Sequence, residues 1–224
     1  MKSIVIALGG SVVLSEDLPS TFFKDLKNLI EKSSEKHQIY IVVGGGKTAR
    51  KYIKIGRKLN FDEAKLDEIG IEATRLNAKF LSRILVFSNQ HIPKSVDEAL
   101  NLQDKVVVMG GTQPGHSTDL VAAEIAEKTD ASKLVIATNV DGIYDRDPAQ
   151  FADAKLHREI SIDKLIETYG TKWEAAGKNT VIDGPALAVI KKSKIPTAVL
   201  NGKNLEELRK AISNNTFYGT KIEI

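Results

Sequence analysis

At 224 residues the chain is long enough for one large α/β domain or two intimate lobes around a sizeable core. Hydrophobic residues at 42% and charged residues at 27% make an ordinary globular mix, which excludes a disordered chain. The net charge of +3 comes from 32 basic residues dispersed among 29 acidic ones, too slight an excess for a nucleic-acid surface, and the absence of cysteine removes disulfide and thiolate-metal chemistry and suits a cytoplasmic protein.

The first apolar run, Ile4 to Leu8, is too short for a signal sequence and breaks at Gly9-Gly10, so a first strand is expected over Ser3 to Leu8. A helix follows over Ser20 to Ser34, opened by Ser20 or Thr21, then a β-branched strand over Gln38 to Val43. Amphipathic segments at Thr48 to Leu59, Glu63 to Ser88 and Val96 to Leu102 precede a strand over Lys105 to Met109. Next come a helix over Thr118 to Thr129, a strand over Lys133 to Thr138 and a helix over Ile162 to Thr168 behind Ser161. The chain then reads as helix Pro185 to Ser193, strand Ile195 to Leu200, helix Leu205 to Ser213 and a weaker strand over Thr220 to Glu223, with Pro185 suited to a first helical position. Asp141 to Ile160 is the least regular stretch, and loops of that length in a compact domain are often functional. Strands alternating with crossover helices predict an α/β fold with an open, mostly parallel sheet sandwiched between helices. No stretch approaches the roughly 18 apolar residues of a membrane span, so no membrane association is expected.

In such sheets ligands bind beyond the carboxyl ends of the strands. Three of the expected strands end there in special turns: Gly9-Gly10-Ser11, Gly44-Gly45-Gly46-Lys47-Thr48, and Gly110-Gly111-Thr112-Gln113-Pro114-Gly115-His116-Ser117-Thr118-Asp119. Glycine admits close approach and positive φ, which lets bare amides converge on a phosphate. One Gly-Gly pair reads most simply as a tight turn, but three at one edge point to phosphorylated ligands. None has the spacing of a Walker P-loop or of a dinucleotide fingerprint.

With these turns followed by Thr138-Asn139-Val140-Asp141-Gly142-Ile143-Tyr144, in this order, the chain resembles the amino acid kinase family over essentially its whole length. Within that family it is most similar to the UMP kinases of the archaeal type, on Gly44 to Tyr52, on Asp67 to Ile71 with Thr74 and Asn77, and on Gly110 to Asp119. The resemblance implies a single amino acid kinase domain, with residues to about 130 holding UMP and those from about 131 holding ATP. It implies phosphorylation of UMP to UDP in pyrimidine nucleotide biosynthesis, with Mg²⁺ carried by the ATP phosphates and no metal-ligand cluster in the chain. A homo-oligomer, a hexamer by resemblance, is expected.

Carried over residue by residue, Gly9, Gly10, Ser11, Gly46 and Arg50 would cradle the ATP phosphates, and Thr138, Asn139, Tyr144 and Asp147 would hold the nucleoside. Gly45 would face the UMP phosphate and Asp67 the ribose hydroxyls. The loop of Thr112, Gln113, Pro114, Gly115, His116, Ser117 and Thr118 would receive UMP, with His116 in a contact role. Asp67, Gly70, Ile71, Thr74 and Ala78 recur at helical spacing and share a face, which suits that placement. Asp119 would be the organising carboxylate at a helix start. Many family members carry a lysine near the end of the first strand, where this chain reads Ile6-Ala7-Leu8-Gly9-Gly10. Lys47 is the candidate to supply that charge, with Arg50, although a plain exposed lysine is the simpler reading. Asp183 matches a family position to which the sequence assigns no role. Two other readings stand beside this one: another small-acid kinase of the same fold, such as an acetylglutamate kinase, and a non-catalytic nucleotide-binding module.

Overall fold

The computed structural model describes residues 1–15, 17–172 and 181–224. The strands are β1 (Ser3–Leu8), β2 (Gln38–Val43), β3 (Val106–Met109), β4 (Lys133–Thr138), β5 (Glu159–Ser161), β6 (Thr197–Asn201) and β7 (Thr220–Glu223). The helices are α1 (Gly10–Val13), α2 (Ser20–Ser34), α3 (Gly46–Lys58), α4 (Glu63–Ile84), α5 (Val96–Asn101), α6 (Thr118–Lys128), α7 (Ile162–Tyr169), α8 (Gly184–Ser193) and α9 (Leu205–Ile212). Among the described residues the strands form one sheet in the order β3-β2-β1-β4-β6-β7-β5, parallel except where β7 runs antiparallel to β6.

β1 is buried along its whole length, as a central parallel strand covered on both faces must be. The period of two divides its side chains. Ile4, Ile6 and Leu8 join a core built with α2, α4 and α9, whereas Val5 and Ala7 join one built with α6 and α8. Each fully buried Ile or Leu in these layers contributes about 1.5–3 kcal/mol relative to exposure. α3 lies outside this sandwich and packs on α4 through Ala49 and Ile53 against Leu66 and Ala73. No helix among the described residues is long and apolar enough to cross a membrane.

The elements read from the sequence are present, with shifted ends. α3 begins at Gly46 instead of Thr48, so the glycine turn leads directly into it. α4 stops at Ile84 instead of Ser88, where the buried Leu85 leaves helical geometry. β6 begins at Thr197 because Pro196 has no amide to give; its carbonyl accepts from Leu134 instead. The short α1 and the three-residue β5 have no periodic pattern that announces them, and β5 exists through its pairing with β7.

Strand order locates the binding edge. The chain moves outward from β1 to β2 to β3, then crosses back past β1 to β4 and on to β6, which places the topological switch beside the carboxyl end of β1. At the outer edge, the buried Asn89 amide accepts from the Val108 amide at 2.6 Å and donates to the Val108 carbonyl at 2.9 Å, as a neighbouring strand would. Asn89→Ala leaves both Val108 groups without partners and is expected to cost about 2–4 kcal/mol, read as a lower Tm in thermal unfolding.

Candidate active site

The first two glycine turns meet at the switch point. Gly9 donates its amide to Ala137 of β4 at 2.9 Å, and Gly44 donates to Leu8 of β1 at 2.9 Å, so each turn is tied to the strand beside it. A Cβ on Gly10 would stand 2.3 Å from the Gly44 carbonyl oxygen and 2.5 Å from the Gly46 nitrogen, and Gly46 has φ +61°. Backbone therefore packs on backbone, an approach closed to any side chain. α3 opens from this contact with no side-chain cap and no acidic residue in its first turn, leaving its leading amides and positive dipole end for an anion. Arg50, one turn along, donates to Ser11 Oγ at 2.9 Å, which joins the two turns through side chains as well. Lys47 is exposed in the first turn and has no ion pair among the described residues.

One face of α4 holds the second and third turns. Asn77 donates to the carbonyls of Gly44 at 2.8 Å and Gly45 at 3.2 Å. The Thr74 hydroxyl accepts from the Gly111 amide and donates to the Ile71 carbonyl, both at 2.6 Å. Arg75 donates to the carbonyls of Gly111 at 3.2 Å and Thr112 at 2.9 Å. Asp67 accepts the Gly115 amide at 2.7 Å where that residue has φ +80°. The helical face expected from the sequence is there, and Asp67 spends one oxygen on shaping the loop. Within that loop the Gln113 amide lies 2.9 Å from His116 Nε2, and Nδ1 of the same ring faces Glu124 at 3.6 Å. Gln113 and Pro114 form its exposed crest. Thr118 Oγ1 lies 3.5 Å from the point where a Gly44 Cβ would stand, so this hydroxyl faces the second glycine turn.

The segment after β4 is fixed from elsewhere. Asp141 accepts from Asn201 at 3.0 Å and from the Tyr144 hydroxyl at 3.3 Å, while Thr138 accepts the Gly202 amide at 2.7 Å through its carbonyl and meets Asn139 at 3.3 Å through its side chain. The fully buried Thr220 of β7 accepts the Ile143 amide at 2.9 Å and donates to the His157 carbonyl at 2.5 Å. Thr138, Asn139 and Tyr144 thus share one neighbourhood. Asp147 stands apart, with its carboxylate engaged by Ala149 and Gln150 of its own turn.

Asp119, in the first turn of α6, and Asp183, the cap of α8, are close enough to interact electrostatically. Burial first, and then the negative charge of Asp183, push the Asp119 carboxyl up to about 8. Asp183 is also raised by burial, against the opposing pull of hydrogen bonds from Ser117 and the Ala186 amide. No cation sits on Asp119 among the described residues.

The amino acid kinase family pattern matches residues 2–201. The chain belongs to the amino acid kinase family. Among its relatives, a curated uridylate kinase of Methanobrevibacter smithii is 43% identical over 222 residues, covering 98% of each chain. One of Methanocaldococcus jannaschii is 44% identical over 226 residues, covering 98% of this chain and 99% of the other. The crystal structure of a uridylate kinase from Archaeoglobus fulgidus matches all of both chains at TM-score 0.86 and 40% identity. A UMP kinase structure from Ureaplasma parvum, at 24% identity and TM-score 0.77, shares the fold.

Arg75, Asn77, Asp141, Asn201 and Thr220 of this amino acid kinase were not singled out as site residues from the sequence. Asn77 was among the residues that carried the resemblance, with Thr74, and Asp141 sits inside the Thr138–Tyr144 motif, so both carried a signal; Arg75, Asn201 and Thr220 had none. The raised carboxyl gives a pH test. An acid whose folded pKa exceeds its unfolded one stabilises the fold at low pH and loses that contribution as pH climbs, here between about 4 and about 8. Asp119→Asn is therefore expected to raise the Tm of the ligand-free protein more at pH 8 than at pH 5. An equal change at both pH values contradicts the assignment.

Proposed function

We propose that this chain is a UMP kinase, transferring the γ-phosphoryl group of ATP to UMP to give ADP and UDP in pyrimidine nucleotide biosynthesis. The observation that carries the reading is the docking of the Thr112–Thr118 loop onto Asp67, beside two interlocked glycine turns, in a chain matched end to end by uridylate kinases. An acyl-acid kinase needs no carboxylate poised at a ribose, and the match over the whole chain favours UMP over that alternative.

In this reading Gly9, Gly10, Ser11, Gly46 and Arg50 hold the ATP phosphates, and Thr138, Asn139 and Tyr144 hold its nucleoside. Asp147 reaches the ribose only by releasing its own turn. Gly45, Asp67 and the loop from Thr112 to Thr118 hold UMP, so residues to about 130 form the acceptor half and those from about 131 the ATP half. The UMP phosphate is already a nucleophile, so catalysis reduces to alignment and to positive charge on the transferring oxygens. Lys47 and Arg50 stand at the head of α3 to meet that charge, with the α3 amides behind them. Asp119 organises the floor of the site.

The described residues hold no cluster of three or more His, Asp or Glu side chains able to cage an ion, and burial raises the carboxyl of Asp119 to about 8. Such a donor set fits Mg²⁺ delivered on nucleotide phosphates, where it keeps most of its water. When bound, Mg²⁺ supplies neutralisation of charge on the β- and γ-phosphates.

Self-association belongs to the same proposal. Tyr52 and Ile55 of α3 and Leu59 at its end are exposed at helical spacing, and Leu76 and Phe80 are exposed on α4. A second copy of the chain is the occupant, and a hexamer the expected assembly. Ile55→Glu should reduce the mass measured by light scattering.

The deciding assay follows ADP release with ATP and Mg²⁺ across UMP, CMP, AMP, dUMP, acetylglutamate, aspartate, glutamate, carbamate and isopentenyl phosphate. Turnover concentrated on UMP is expected. Asp67→Ala should mainly raise KM for UMP, and Lys47→Ala should mainly lower kcat by about tenfold or more. Saturable nucleotide binding without ADP release would return the chain to the binding-module reading.

A further inference from the structure

The acceptor loop is held at its start by Thr74 and Arg75 and at its middle by Asp67, all from α4. Its end is held differently. Ser117 caps α6 by accepting the Leu120 amide at 2.9 Å, and its hydroxyl donates to Oδ2 of Asp183. Asp183 in turn caps α8, with Oδ1 accepting the Ala186 amide at 3.0 Å. Two helix caps from distant parts of the chain are thus joined by one hydrogen bond, and both carboxylate oxygens are used.

The position of Asp183 is imposed by its neighbours. Ile182 is buried, and a Cβ on Gly184 would stand 2.8 Å from the Gly170 carbonyl oxygen and 3.0 Å from the Lys172 nitrogen, so this stretch is wedged against the end of α7. A carboxylate fixed from below in this way can dictate where Ser117 sits. The adjacent Thr118 then carries that placement to the hydroxyl facing the second glycine turn.

We propose that Asp183 is a positioning residue for the acceptor loop, acting through Ser117 to keep the Ser117–Thr118 corner in its substrate-receiving arrangement. The inference rests on the kinase reading above. The simpler alternative is that Asp183 only caps α8. Serine is as good an N-cap as aspartate but too short to reach Ser117, so Asp183→Ser separates the two roles.

Steady-state kinetics of the full chain tests this. Asp183→Ser is expected to raise KM for UMP about tenfold or more, to leave KM for ATP within about twofold, and to melt close to the parent. The double variant with Ser117→Ala should be no worse for UMP than the worse single variant, because both remove one link. Should Asp183→Ser not fold, Asp183→Asn keeps the cap and weakens the link, and must show the same split at smaller amplitude. An unchanged KM for UMP, an equal rise for ATP, or effects that multiply in the double variant would overturn the proposal. If the parent phosphorylates a different acceptor, the kinase assignment to UMP fails while the same comparison is made on that acceptor. A parent silent on every acceptor removes both.

Discussion

Two backbone segments pressed together with no room for a Cβ set the geometry of the whole site. The contact between Gly10 and the Gly44–Gly46 turn brings the ends of β1 and β2 close enough that amides from both can address one phosphate group. Its position is fixed by strand order, since β1 lies where the chain reverses direction across the sheet. Because the packed atoms belong to the main chain, the distance between the turns does not depend on rotamers. Side chains then stiffen what the backbone defines: Asn77 holds the carbonyls of the second turn, and Arg50 reaches back to Ser11. α4 serves as a rigid mount on which the second and third turns are hung at intervals of a helical turn.

The carboxyl pair shows a different economy of charge. Placing Asp119 beside Asp183 out of water costs stability, and the protein meets that cost by keeping Asp119 mostly protonated near neutrality. The pair therefore carries less negative charge near neutrality than its sequence suggests. A positive charge brought near Asp119 would favour its ionisation. Such a group is expected to oppose stability while serving function, in keeping with the clustering of perturbed acids at active sites.

The sequence carried much of this architecture because local rules dominate in it. β-branched runs bounded by glycine marked the central strands, and the ordered glycine turns marked the ligand edge. What escaped detection depends on partners remote in the chain. β5 is a strand only because β7 lies beside it, and α1 is a single turn closed on the Gly9 and Gly10 carbonyls where Gly10 packs on the second glycine turn. Asp183 matched a family position but had no assignable role until folding put Ser117 against it. Asp67 was legible as a member of a helical face directed at the loop. Its bond to the Gly115 amide was not, since it requires the loop to adopt positive φ at that glycine. Asp147 illustrates the reverse case, a residue prominent in a motif whose side chain is spent on its own turn.

The Asn89 amide that engages Val108 also bears on what the edge of the sheet can accept. An edge strand of four apolar residues, unprotected, is a template on which another chain can extend the sheet. Here the central outward-facing peptide groups of that strand are already satisfied by a side chain, which cannot itself be extended. At the opposite margin β5 is only three residues long, with exposed Glu159 at its start. With both margins blunted, neither edge of the sheet offers a run of free peptide groups long enough to template another strand.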